Sequence, residues 1–223
     1  MDFLKKVYKK IIPENSSFQF FLWKYRHIVD KRFAKDSIKL KDINHPHRFK
    51  IVEILKRDSF SSLFEIGCGK GHNLFLFSLI FPDSKFTGID INKRSITIAK
   101  KYALEKQISN IDFSSKNLKK LKQYQDNEFD VIISDAVLIY VDAKLIKSIS
   151  RELIRIAKKR IILIEYFDEQ TDAFGYAFNK CWIRNYQKLF KDFSEIILIE
   201  NIETGIWTQN WEKFGKYIEV ILK

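Results

Sequence analysis

Three of the chain's seven glycines fall within five residues, in the run Glu65-Ile66-Gly67-Cys68-Gly69-Lys70-Gly71. An apolar stretch precedes the run and another follows it. Glycines between a strand and a helix let the backbone turn tightly and approach a ligand, beside the exposed N–H groups that open the helix. A dinucleotide-binding fingerprint reads G-x-G-x-x-G, and here the position of its third glycine holds His72. The G-x-G-x-G spacing therefore points to a different nucleoside ligand. Asp90 ends the next apolar run, Phe86 to Ile89, 19 residues after Gly71. A carboxylate there can accept hydrogen bonds from both hydroxyls of a ribose. Asp90 alone supports a nucleoside without choosing among cofactors; the glycine spacing makes that choice.

These residues need strands and helices to hold them, and the pattern from Pro46 onward supplies both. Arg48 to Leu55 reads as a helix, Ser62 to Ile66 as a strand, Asn73 to Phe81 as a buried helix stopped by Pro82, and Phe86 to Ile89 as a strand. Ser95 to Leu104 is a helix, Ile111 to Phe113 a strand and Val131 to Ser134 another. A helix follows with Leu145, Ile146, Ile149, Leu153 and Ile156 on one side, and then the apolar run Arg160 to Glu165, as expected of a central strand covered on both faces. Alternation of this kind implies a mostly parallel sheet with right-handed crossovers. Ile196 to Ile199 and Tyr217 to Leu222 read as a closing antiparallel pair, with no helix of clear period between them.

At the glycine run the chain resembles the class I S-adenosylmethionine-dependent methyltransferases, and particularly the small "type 11" methyltransferase domain. The likeness covers roughly residues 46–165. It implies an α/β, Rossmann-like, doubly wound fold: a mostly parallel seven-stranded sheet with an antiparallel C-terminal strand pair and helices on both faces. It implies S-adenosylmethionine as cofactor, with S-adenosylhomocysteine as product. The expected cofactor contacts are Glu65, Gly67, Cys68, Gly69, Gly71, Asp90 and Ile91, with Glu65 toward the amino acid portion. The family places an acidic residue near the adenine amine after the third strand. Here Asn117-Leu118 stands in its place, and Asn117 either accepts from that amine or only shapes a turn. Phe129 to Val141 looks like the family segment that borders cofactor and acceptor, which adds Ser134 and Asp135 as contacts and puts Tyr140 where many relatives carry a histidine. Tyr140 and His72 are the candidates for handling a proton, with the acidic segment around Glu165 to Glu169 behind them.

Methyl transfer from a sulfonium is an in-line displacement, so the protein's work is chiefly to position the two partners and exclude water. No N/D-P-P-Y/F segment stands at the fourth strand, where base-amine methylation commonly uses one; the chain has Ser134-Asp135-Ala136-Val137. The expected acceptor is therefore a small molecule: a sugar, a nucleotide-linked compound or another biosynthetic intermediate. An RNA methyltransferase and a non-catalytic S-adenosylmethionine-binding partner protein are the rivals.

Residues 1–45 form a separate expectation, a basic and aromatic helical extension or lid, with residues 46–223 the methyltransferase domain. The extension has helically spaced Phe3, Leu4, Val7 and Ile11, then the cluster Phe18, Phe20, Phe21, Leu22, Trp23 and Tyr25. Residues 1–60 hold 15 Lys/Arg against 7 Asp/Glu, most of the chain's net +12. Such an excess suits a phosphorylated acceptor, RNA, peripheral contact with anionic lipid, or a merely solvated face. The two cysteines form no CxxC pair, which fits a reducing, cytoplasmic setting. No apolar run reaches the length of a membrane span, and no signal peptide is read. His45 and His47 make an HxH pair with no third ligand in view, so no metal is expected. Trp182, Tyr186, Trp207 and Trp211 either line an acceptor pocket or pack beneath it.

Overall fold

The computed structural model describes residues 38–191, 193, 195–197, 207 and 209–222. The aromatic cluster of the first 37 residues and the expected strand positions Leu198 and Ile199 lie outside the described residues.

Two short helices, α1 (Leu40–Ile43) and α2 (Pro46–Leu55), precede the first strand. The alternating part then runs β1 (Ser62–Ile66), α3 (His72–Ile80), β2 (Lys85–Asp90), α4 (Lys93–Glu105), β3 (Ile111–Ser115), a 3-10 turn (Leu118–Gln123), β4 (Phe129–Asp135), α5 (Ala143–Ile156) and β5 (Ala157–Tyr166). Beyond it come the hairpin β6 (Tyr176–Phe178) and β7 (Cys181–Ile183), α6 (Tyr186–Phe190), β8 (Glu195–Ile197), α7 (Asn210–Phe214) and β9 (Gly215–Ile221).

The main sheet has seven strands in the order β3-β2-β1-β4-β5-β9-β8. β1 to β5 pair in parallel, and β9 runs antiparallel to both of its neighbours, β5 and β8. This is the doubly wound, Rossmann-like architecture with its closing antiparallel pair. The chain leaves β1 toward β2 and β3, then returns to lay β4 and β5 on β1's other side. The strand order thus reverses between β1 and β4, and ligands of open α/β sheets bind at the carboxyl ends of such a pair.

Alternate residues of each strand feed different helical layers. In β4, Val131 and Ile133 join a core with Ile51, Leu55, Leu74, Phe75, Phe77 and Ile96, from α2, α3 and α4. Ile132 joins the opposite core with Ile146, Leu153 and Ile156 of α5. Helix α3 is apolar nearly all round because it is buried on most of its surface, from Asn73 through Ser78. Helix α5 is amphipathic, burying Ile146, Ile149, Ser150, Leu153 and Ile156. Leu145 departs from the sequence expectation: it is 43% exposed, one position off the buried stripe.

Side-chain caps fix the helix starts next to the site. Asn92 accepts from the backbone N–H groups of Arg94 and Ser95 to open α4, and Asp142 accepts from Lys144 N–H to open α5. Two features differ from the sequence reading. A two-stranded hairpin, β6–β7, fills the stretch after β5, and the five-residue helix α7 precedes β9. Both are too short to carry a recognisable period.

Candidate active site

Glu65 is the penultimate residue of β1, opposite Ile133 of β4, and is 2% exposed. Its Oε1 accepts from Asn73 Nδ2 at 2.6 Å, and the same amide nitrogen lies 2.9 Å from Asp135 Oδ2 at the end of β4. One amide therefore bridges the buried Glu65 carboxyl and the half-buried Asp135 carboxylate. Burial, reinforced by the Asp135 charge, pushes the Glu65 carboxyl up to about 8. Asp135 goes the other way: despite its burial, hydrogen bonds from His47 and Asn73 hold it below the usual range. His47 Nε2 lies 3.0 Å from Asp135 Oδ2, and Tyr217 on β9 donates its hydroxyl to His47 O at 3.1 Å. The start of α2 is thereby fastened over the β1–β4 crevice.

The glycine run turns from β1 into α3 through positive φ at Gly67, Gly69 and Gly71. Gly71 is packed shut, since an added Cβ would stand 2.5 Å from the Phe113 ring. Gly69 is different: a Cβ there would meet nothing within 4 Å. The loop is tied to Asp90, whose Oδ2 accepts from Gly69 N–H at 2.9 Å and whose Oδ1 accepts from Asn92 N–H at 2.7 Å. Each oxygen keeps a second acceptor position for a ligand. Cys68 is buried, and burial raises its thiol well above the ordinary value.

Other expected residues take less open positions. Ser134 is fully buried and donates to Glu165 Oε1 at 2.6 Å. Glu165, also fully buried, accepts in addition from the backbone N–H groups of Val137, Leu138 and Ile139, each at 3.0 Å. It anchors the turn after β4, and burial pushes its carboxyl up to about 7. Tyr140 ends that turn, half-buried against the cluster of Ile139, Tyr166, Ile183 and Phe214. Arg184 completes the clamp, donating to Leu138 O, Val141 O and Phe174 O from a fully buried position.

His72 opens α3. Burial, with Arg48 nearby, lowers its imidazole to about 4, so it is neutral and a weak base near pH 7. Asn117 Oδ1 accepts from Lys119 N–H at 3.0 Å and caps the 3-10 turn that Leu118 begins; Ile91 is half-buried beyond Asp90. Asp168 accepts from Gln170 N–H in the exposed turn beyond β5. The aromatic residues pack: Tyr186 is fully buried, Trp207 stacks on Tyr217 at 5.0 Å, Trp211 meets Tyr166 edge-on at 4.6 Å, and Trp182 lies under the Arg184 guanidinium.

Among the described residues eight buried side-chain polar atoms have no partner, and three of them belong to residues around this crevice: Glu65 Oε2, Asn73 Oδ1 and Arg48 Nε. Glu65 and Asn73 are hydrogen-bonded to each other, and Arg48 lies within electrostatic reach of Glu65 and Asp135. Buried groups of this kind carry a free-energy cost until a ligand pairs with them. Two acceptors and a cation suit a zwitterionic amino acid group, while Asp90 and the open face of Gly69 suit a nucleoside.

Residues 58–216 match the family described as the methyltransferase domain. The chain belongs to that family. It carries a class I methyltransferase domain whose cofactor is S-adenosylmethionine, and the donor set above fits that molecule at both of its ends. Among curated proteins, the chain is 26% identical over 152 residues to malonyl-[acyl-carrier protein] O-methyltransferase of Bacillus cereus, covering 64% of this chain and 54% of that one. It is 28% identical over 107 residues to ribosomal RNA small subunit methyltransferase G of Bacteroides fragilis, covering 48% and 49%. The chain thus spans about half the length of these curated relatives. Its fold superposes on magnesium protoporphyrin IX methyltransferase from Synechocystis, solved with bound S-adenosylmethionine, with a TM-score of 0.66 at 15% identity, covering 95% of this chain and 100% of that one. That likeness speaks for the fold.

Arg48 and Asn73 were not singled out as site residues from the sequence. Asn73 had a readable signal, a polar residue at the start of an otherwise apolar helix. Arg48 had none, because lysine and arginine are common throughout the first 60 residues.

Proposed function

We propose that this protein transfers the methyl group of S-adenosylmethionine to a small-molecule acceptor. The observation that carries the reading is the buried Glu65 Oε2 beside Asn73 at the β1–β4 switch point, a carboxyl oxygen without a partner among the described residues, which a ligand's amino group would pair. Glu65 and Asn73 would hold the cofactor's ammonium group, Arg48 its carboxylate and Asp90 its ribose hydroxyls. Gly67, Cys68, Gly69, Gly71 and Ile91 would form the surface under it, and Asn117 and Leu118 the adenine edge.

When bound, the cofactor supplies an electrophilic methyl carbon on a sulfonium that leaves readily. The chain's own residues bind, orient and exclude water. Glu165 holds the Val137–Ile139 turn rigid beside the crevice, and Arg184 holds the β6–β7 hairpin against that turn, so acceptor-side walls come from packed elements.

The acceptors named for two similar proteins, a malonyl group on an acyl carrier protein and a magnesium porphyrin, support a biosynthetic acceptor. A sugar, nucleotide-linked or phosphorylated acceptor stays within this reading, since the basic excess of residues 1–60 would favour an anion. Two free cysteines accord with a reducing, cytoplasmic setting. Among the described residues no helix is long and apolar enough to cross a membrane. The similarity to a ribosomal RNA methyltransferase keeps an RNA acceptor as the second reading.

Incubation with methyl-tritiated S-adenosylmethionine, small-metabolite fractions and total RNA separates the two. Label in the small-molecule fraction supports the proposal. Label in RNA alone, falling steeply with salt, replaces it with the second reading.

A further inference from the structure

We infer that the methyl acceptor is an amine, held at the carboxyl ends of β4 and β5 between the Asp135 carboxylate and a wall of aromatic rings that includes Trp207 and Trp211. The inference rests on the methyltransferase reading above and names the class of its acceptor. The register across the sheet puts the parts side by side: Asp135 pairs with Ile164, Ile164 with Tyr217, and Tyr166 with Gly215. Paired residues point to one side of a sheet, so Asp135 and Tyr217 share a face with β5 between them. Both reach His47, Asp135 at its ring and Tyr217 at its carbonyl oxygen. Two residues beyond Asp135, Val137 packs so closely on the cofactor loop that a Cβ on Gly67 would stand 2.3 Å from it. A group bound at Asp135 therefore borders the cofactor crevice.

Asp135 uses only one of its oxygens. Oδ2 meets both His47 and Asn73, whereas Oδ1 has no partner among the described residues, and the side chain is 17% exposed. The hydrogen bonds from His47 and Asn73 outweigh burial and keep this carboxyl ionised, an anion with an open acceptor position. The ring wall begins at Tyr217. Trp207 stacks on it at 5.0 Å, Trp211 lies 5.5 Å from Trp207, and Tyr166 lies 4.6 Å from Trp211. Gly215 makes room for the indoles, since a Cβ there would stand 2.6 Å from Trp211 and 3.0 Å from Trp207. Both indoles keep part of their surface exposed. A carboxylate and ring faces each attract positive charge, and the carboxylate repels an anion at the same spot. Arg48, the nearby cation, is the group assigned above to the cofactor's own carboxylate.

The chemistry suits the same parts. The neutral amine attacks the methyl carbon with its lone pair, the methyl–sulfur electron pair goes to sulfur, and positive charge passes from sulfur to nitrogen. Asp135 Oδ1 accepts an N–H of that nitrogen and, with the ring faces, stabilises the charge as it develops. The product leaves as the methylammonium, so no side chain has to take a proton during transfer. A hydroxyl acceptor would need a base, and the groups around the crevice serve poorly. Burial, with Arg48, lowers His72 to about 4. His47 is engaged at both ring nitrogens, and Glu165 is bound up in the turn after β4.

The test uses the full chain and the variants Asp135→Asn, Trp207→Leu and Trp211→Leu, each checked by melting. With S-adenosylhomocysteine present, calorimetry follows three probes of one shape: tyramine, a cation; 4-ethylphenol, neutral; and 4-hydroxyphenylacetate, an anion. Tyramine should bind about tenfold or more tighter than 4-ethylphenol, with the anion weakest. Asp135→Asn should remove most of that advantage, and loss of either indole should weaken tyramine. Label passed from methyl-tritiated S-adenosylmethionine to a small-metabolite fraction should be retained by cation exchange and withstand alkali, as an N-methyl group does. It should fall about tenfold or more in Asp135→Asn. Binding of none of the probes, binding of all three alike or of the anion best, label that alkali releases as methanol or that cation exchange does not retain, or an Asp135→Asn chain that behaves as the parent overturns the amine assignment. A parent chain that binds no S-adenosylhomocysteine overturns the proposed function instead, and the ranking of the three probes is then read without the nucleoside.

Discussion

Asn73 donates to Glu65 across 2.6 Å inside the core, and its other contact, Asp135, is a second carboxylate. Glu65, buried, and Asp135, half-buried, lie at the ends of adjacent strands, where a second negative charge is disfavoured unless a donor stands between the two groups. Asn73→Leu should therefore fold less stably by about 2–3 kcal/mol, the cost of leaving buried acceptors unpaired. It should also bind S-adenosylmethionine at least tenfold more weakly. Asn73→Gln should keep part of both properties. Thermal melts and calorimetric titration read the two effects separately.

The raised Glu65 carboxyl gives a signed pH dependence. Free protein holds a proton on Glu65 up to about pH 8, and pairing with a cationic amino group requires its release. Affinity for S-adenosylmethionine should rise with pH, by at most about tenfold per unit, and level off near pH 8. The folded value lies above the ordinary 4.5, so the ligand-free protein loses stability as pH climbs from 4.5 through about 8. The Tm gain on adding cofactor should grow over the same window. Glu65→Gln should flatten both curves; a wild-type affinity independent of pH would show that Glu65 does not face the amino group.

Gly69 and Gly71 separate binding from folding. Both have positive φ, but only Gly71 faces a ring, Phe113 at 2.5 Å from an added Cβ. Gly71→Ala should destabilise by about 3 kcal/mol, combining overpacking with backbone strain. Gly69→Ala carries only the strain, about 1 kcal/mol. A larger side chain, Gly69→Val, should remove cofactor binding from a protein that still melts cooperatively.

Glu165 should behave as a structural anchor. Replacing it with alanine leaves three backbone N–H groups and the Ser134 hydroxyl without their acceptor. A loss of about 3–5 kcal/mol is expected in denaturant titration, with Glu165→Gln intermediate. If Glu165→Ala instead kept its stability and lost only transfer rate, the carboxylate would belong to the chemistry.

Much of this was readable in the sequence. The strand Ser62–Ile66 was found at its observed bounds, and the glycine run and Asp90 meet through the Gly69–Asp90 bond. Strong periodicity and scarce glycine made those elements legible. The β6–β7 hairpin was not, because three-residue strands leave no period, and its fastening depends on Arg184 reaching back more than 40 residues to Leu138. Ser134 looked like a ligand contact and turned out to be spent on Glu165, a pairing across strands that spacing along the chain does not reveal. The link between His47 and Asp135 likewise spans 88 residues, and only the closure of α2 over the crevice brings them together.

The central claim is a cofactor pocket built on Glu65, Gly69 and Asp90, and calorimetric titration tests it most directly. The purified chain would be titrated with S-adenosylmethionine, S-adenosylhomocysteine and NADH, beside Asp90→Ala and Gly69→Val chains shown by melting to be folded. Micromolar binding of both sulfur nucleosides, absent for NADH and lost in both variants, is the predicted result. A folded parent that binds neither sulfur nucleoside, or binds them as well in the variants as in the parent, would contradict it.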